Sequence, residues 1–125
     1  MHKSRLGCLI IDCHEPDDMM AAARFWAGTL GYEVDEQDDE GKYVSLKGPA
    51  NEPYVAIQRV DHESRIHIDI ETDDKEAEAA RLEKLGAKRI AAIKGWIVMQ
   101  APSGHRFCLV GPNRADFAEK AKGWG

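Results

Sequence analysis

A repeat constrains this chain more than any other feature of its sequence. A strand-like segment, an amphipathic helix closed by glycine, and three short strands are written twice. Asp18, Ala22, Leu30 and Gly31 recur 55 residues later as Asp73, Ala77, Leu85 and Gly86. The identities are few, so the order of elements carries the argument. In the first half, residues 6–13 are dense in β-favouring side chains, and Glu15, Pro16, Asp17 and Asp18 supply turn and helix-start chemistry. A helix is expected from Asp17 to Leu30 with Met19, Ala23, Trp26 and Leu30 inward and Gly31 as its cap; strands follow near 32–35, 42–47 and 54–60. The second half predicts a strand over 65–71 and a helix over 73–85 with Ala79, Leu82 and Leu85 inward. Gly86 caps that helix, and strands follow near 88–91, 95–100 and 105–110.

Two βαβββ modules, 6–60 and 65–110, give an α+β fold of eight strands and two helices in a single domain, residues 1–125. The 113–125 tail is expected to carry a short helix over 114–122, with Phe117 and Trp124 packing on a neighbour or fraying. At 125 residues the chain suits one domain, and its 43% of hydrophobic and 31% of charged residues are those of a globular protein rather than a disordered one.

Each helix can cover one face of a sheet, so the other face is where chemistry is sought. On strand 65–71, Ile66, Ile68 and Ile70 alternate with His67, Asp69 and Glu71, which puts the polar set on the helix-free side. Provided that no β-bulge changes the parity, the same alternation puts Cys8, Ile10, Asp12, Tyr54, Ala56, Gln58, Trp96, Val98, Gln100, Arg106, Cys108 and Val110 there too. This mixture of aromatic, apolar and polar side chains reads as a pocket lining. Tyr54, Gln58, Asp69, Trp96 and Cys108 are the candidate substrate-binding residues. His67 is the candidate catalytic base, with Asp69 two residues away, roughly 6 to 7 Å along the strand, as an orienting carboxylate. The alternative for His67 is a hydrogen-bonded pocket histidine, and for Trp96 plain packing. Arg59 and Arg65, near strand ends, are candidates to meet an anionic group. Residues 76–84 read as a solvated helix face.

With 17 Lys and Arg against 22 Asp and Glu and no basic tract, nucleic-acid binding is disfavoured. No apolar stretch reaches membrane-helix length and the start shows no signal-peptide core, so a cytoplasmic location is expected. Cys8, Cys13 and Cys108 make an odd count without CxxC spacing, which suits reduced thiols. His2, His14, His62 and His105 fall in the tail or turns with no metal-motif spacing. No GxGxxG, P-loop or GxSxG occurs.

The chain resembles the vicinal oxygen chelate superfamily, the glyoxalase, bleomycin-resistance and dioxygenase group, and within it the glyoxalase-like domain proteins. Four stretches carry the likeness: Ile11-Asp12-Cys13 leading to Phe25-Trp26 and Leu30-Gly31-Tyr32, then 55–60, then 65–70 before Asp73-Asp74, then Pro102-Ser103-Gly104 leading to Phe107-Cys108-Leu109. The resemblance implies a cup-shaped mixed sheet with the helices on its convex face, a small, possibly aromatic ligand in the concave pocket, and a homodimer. It also implies that a divalent metal would draw on His67, Gln58, Cys8 and Cys108. The last strand offers Cys108 where the family has Glu, and two thiols and an amide are a poor set for a hard octahedral cation; Cys2His could hold zinc. The expected function is therefore small-molecule binding with lyase or isomerase activity as an option. The alternatives are a metal-dependent lyase or dioxygenase and a drug-binding protein without catalysis.

Overall fold

The computed structural model describes residues 1–15 and 17–125; Pro16, expected in the turn before the first helix, lies outside the described residues. The chain divides into two compact units, residues 8–67 and residues 1–7 with 68–125.

In the 8–67 unit, β1 (His2–His14) supplies its C-terminal half, followed by α1 (Met19–Leu30), β2 (Glu33–Gln37), β3 (Tyr43–Lys47) and β4 (Tyr54–Val60). The strand order is β2-β3-β4-β1, with β1 and β4 parallel and the remaining pairs antiparallel. α1 starts where the Asp18 side chain accepts from the backbone N–H of Met20 and Ala21, satisfying donors that the first turn leaves open. It stops at Gly31, whose φ of 74° is a left-handed conformation that a side chain would strain. Met19, Ala23 and Ala27 pack with Cys13, Val44, Leu46, Val55 and Ile57 in one core. Leu30, expected inward, is exposed: it ends the helix, past the last turn that reaches the sheet.

The other unit holds β5 (Ile66–Thr72) from Ile68 on, α2 (Lys75–Lys84), β6 (Lys88–Ile93), β7 (Trp96–Gln100), β8 (Arg106–Val110), α3 (Phe117–Lys120) and β9 (Lys122–Trp124). Its order β5-β8-β7-β6, with β5 and β8 parallel, repeats the connectivity of the first unit strand for strand. Here Ala79, Ile97, Met99, Phe107 and Leu109 form the core, joined by Ile68, Ile70 and Leu82. Two expected core residues are not in it. Leu85 is 66% exposed because it sits at the helix C-terminus, beyond the sheet-facing stripe, and Ile66 is 54% exposed because it opens β5 ahead of the part α2 covers.

The register shifts found lie in the β2/β3 and β6/β7 pairings, while β1 pairs with β4 from Cys8 on, and β5 with β8, without a shift. Cys8, Ile10 and Asp12 thus stand opposite Tyr54, Ala56 and Gln58, and Asp69 opposite Cys108. The tail departs from expectation. Its helix shrinks to four residues and a ninth strand follows, pairing antiparallel with the start of β1 through His2, Lys3 and Ser4. Phe117 is buried, and the Trp124 indole donates to Ser4 Oγ at 2.9 Å beneath the Arg81 guanidinium, 3.8 Å from the ring centroid. The tail thus packs on its own unit through Phe117 and Trp124.

Buried charge also departs from the sequence reading. Glu71, expected on a polar face, is fully buried and accepts from Arg5 Nε and, at 3.0 Å, from the Asn113 N–H, with Arg114 3.4 Å away. Gly7 allows this approach, since a Cβ there would sit 3.2 Å from the Glu71 backbone nitrogen. Glu78, expected on a solvated face, is likewise buried, held bidentately by Arg81 and by His2 Nε2 at 2.8 Å. Burial alone would raise its pKa; the hydrogen bonds from Arg81, His2 and Ser4 win and bring it down to about 2.

Candidate functional site

On the helix-free side of the 8–67 unit, strand register sets out a row of polar side chains. Tyr43 on β3 is the Cα partner of Gln58 on β4, and Gln58 is the partner of Asp12 on β1. Gln58 Nε2 donates to the Tyr43 hydroxyl at 3.1 Å. Next in the row, His67 Nδ1 lies 3.2 Å from Asp12 Oδ2, and the chain is drawn together there by the Asp12 N–H donating to the Arg65 carbonyl at 2.8 Å.

The carboxylate can only accept, so Nδ1 carries a proton, and in the neutral ring Nε2 keeps its lone pair. The Asp12 side chain is 2% exposed and that of His67 21%, which leaves the imidazole within reach of a ligand while its anchor is shielded. Asp12 Oδ1 is buried with no hydrogen-bond partner among the described residues. His62 stands on the other flank of the same carboxylate, its Nε2 3.9 Å from Asp12 Oδ2 and its Nδ1 donating to the Glu63 carbonyl at 2.8 Å. Below the row, Cys8 is the Cα partner of Tyr54, and Ile10 of Ala56. Cys8 and Ile10 are buried and Tyr54 exposed.

The remaining candidates belong to the other unit. Asp69 on β5 is the Cα partner of Cys108 on β8, which in turn partners Val98 on β7; Trp96 opens β7 opposite Ile93. Burial, and then the nearby Asp69 charge, push the Cys108 thiol up to about 11. The seven candidates therefore fall into two sets, with Cys8, Tyr54, Gln58 and His67 in one unit and Asp69, Trp96 and Cys108 in the other.

A carboxylate within hydrogen-bond distance of His67 Nδ1 is that of Asp12, on the neighbouring strand. Asp12, Tyr43 and His62 are the members that sequence reasoning missed. A signal for Asp12 was present, because Asp12 and His67 are separated by the same 55 residues that relate the two halves.

The geometry just described belongs to a chain whose residues 8–110 match the family model described as "Glyoxalase-like domain". The chain belongs to that family. Solved structures share the fold. A hypothetical protein from Bacillus halodurans C-125 superimposes with a TM-score of 0.65 at 13% identity, over 89% of this chain and 96% of that one. A variant of homoprotocatechuate 2,3-dioxygenase from B. fuscum gives 0.61 at 13% identity, over 94% of this chain but 35% of that one. A glyoxalase/bleomycin resistance protein/dioxygenase superfamily member from Vibrio splendidus 12B01 gives 0.50 at 18%, over 85% of this chain and 98% of that one. This glyoxalase-like chain spans about a third of the length of the dioxygenase it resembles. No curated protein matches it.

The metal implied by the fold family is a poor fit to this donor set. Cys108 is held as a thiol, and a thiol binds metal only as thiolate. Gln58 offers only a neutral amide oxygen, its Nε2 donating to the Tyr43 hydroxyl. Among the described residues no three His, Cys, Asp or Glu side chains converge as metal ligands. What the arrangement supplies instead is an imidazole held through Nδ1 by Asp12, with Gln58 and Tyr43 further along the row. Among the described residues, no helix is long and apolar enough to cross a membrane.

Proposed function

We propose that this glyoxalase-like chain binds a small, aromatic-bearing molecule on the helix-free face of the 8–67 unit, and that His67 Nε2 takes a proton from it in an isomerase- or lyase-type step. The observation that carries the reading is the His67–Asp12 pair. A buried carboxylate fixes the tautomer and stabilises the imidazolium formed when Nε2 accepts a proton. Tyr54 and Tyr43 give flat apolar surface for a ring, and Gln58 orients a polar substituent. No step is routed through a metal. The homodimer expected for such a chain belongs to the same reading and is read out by light scattering.

The test is a panel of aromatic α-hydroxyketones in D2O, followed by proton NMR for exchange at the acidic carbon and by shift mapping on labelled protein. Exchange should depend on His67 and fall about 100-fold or more in His67→Ala, in line with the usual contribution of a general base. Absence of saturable binding across the panel, or exchange that survives in His67→Ala, would overturn the reading. Binding without exchange would reduce the protein to a ligand holder.

A further inference from the structure

A separate cleft of about 350 Å³ opens on the helix-bearing side of the 8–67 unit, between α1, the end of β1 and residues 64–66. That volume falls in the range of small-molecule sites. Its walls are apolar: Trp26 and Ala22 from α1, Ile11 from β1, and the largely exposed Ile66.

Four charged residues line it, and two of them are already committed. Asp12 turns its carboxylate to His67, and Asp18 uses its own to cap α1. The other two are Asp17 and Arg65, of opposite sign. Neither forms an ion pair or a side-chain hydrogen bond among the described residues, with each other or with any third group. Two opposite charges set apart on one apolar cleft discriminate by charge pattern, because an anion would meet Asp17 and a cation would meet Arg65. A molecule that carries both charges at once satisfies both.

We propose that this cleft binds a small zwitterion of the apolar α-amino-acid type, its ammonium at Asp17, its carboxylate at Arg65 and its side chain against Trp26 and Ile66. The site shares Asp12 with the His67 pair but takes its ligand contacts from Asp17, Arg65, Trp26 and Ile66, so it does not depend on the function proposed for His67.

The test uses the full chain, nitrogen-15 labelled, with three probes that share one ring: phenylalanine, phenylalaninamide without the carboxylate, and 3-phenylpropanoate without the ammonium. Phenylalanine should shift the Ile11 and Ala22 amides and the Trp26 indole saturably, and each single-charge probe should bind at least about tenfold more weakly, the equivalent of one charge contact. Arg65→Gln should erase the preference over phenylalaninamide and Asp17→Asn the preference over 3-phenylpropanoate. Both charge variants are conservative surface changes whose folding is read from the same spectra. The proposal is overturned if phenylalanine gives no saturable shift up to about 10 mM, a Kd weaker than any useful site. It is equally overturned if the shifts map to the Gln58 and His67 face or if the two variants leave the probe ranking unchanged.

Discussion

Asp12 Oδ2 lies 3.2 Å from His67 Nδ1, and the two residues occupy equivalent places in the two halves of the repeat, 55 positions apart. In the neutral ring the contact leaves Nε2 as the acceptor, since Nδ1 holds the proton that it donates to Asp12. Asp12→Ala should release that tautomer, and nitrogen-15 spectra of the His67 ring should move from the Nδ1–H form toward the Nε2–H form. An unchanged tautomer would mean that Asp12 does not orient the ring.

Glu71 is fully buried among Arg5, Arg114 and the Asn113 N–H, and Arg114 also donates to the Leu6 carbonyl. Removing one partner of such a cluster strands the other charges in a dry site. Glu71→Ala should cost about 3 to 5 kcal/mol in urea unfolding, far more than a surface change. A loss below about 1 kcal/mol would show that water reaches the arginines.

The carboxyl of Glu78 ionises near 2 in the folded chain, against an ordinary 4.5. A depressed carboxylate contributes stability above its unfolded pKa and loses that contribution as pH falls through the folded one. Thermal stability should therefore decline between about pH 4.5 and 2, and Glu78→Gln should be less stable near neutrality but flatter through that interval. Parallel pH profiles for the two proteins would rule out Glu78 as a source of acid sensitivity.

For Cys108, a thiol raised to about 11 by burial and by Asp69 should react slowly with iodoacetamide at pH 8. Asp69→Asn removes the charge and leaves the burial, so the rate should rise several-fold without reaching that of an exposed thiol, a comparison followed by mass spectrometry. An equal rate in both proteins would leave burial as the whole cause.

Much of the fold was legible because it depends on local rules. Asp18 and Asp74 cap their helices as side-chain acceptors, Gly31 stops α1 at a positive φ, and β4 begins and ends at Tyr54 and Val60 as the alternation requires. Leu30, Leu85 and Ile66 were misplaced because periodicity assigns a direction to a side chain but not the point where the covering layer ends. β9 was missed because three residues pair with the start of β1 across 120 positions, a contact with no local signal.

The sequence by itself determined the repeat, the family likeness and which side of each strand carries polar groups, since all three are written in residue order and in the two-residue period of β-structure. Tertiary structure alone decided which polar groups meet. His67 met Asp12 across strands, Glu71 and Glu78 went inside with arginines, and Cys108 became a thiol held against ionisation. The reason is physical: hydrogen bonding and desolvation act over a few ångströms of space, and strand pairing sets that distance between residues the chain keeps far apart.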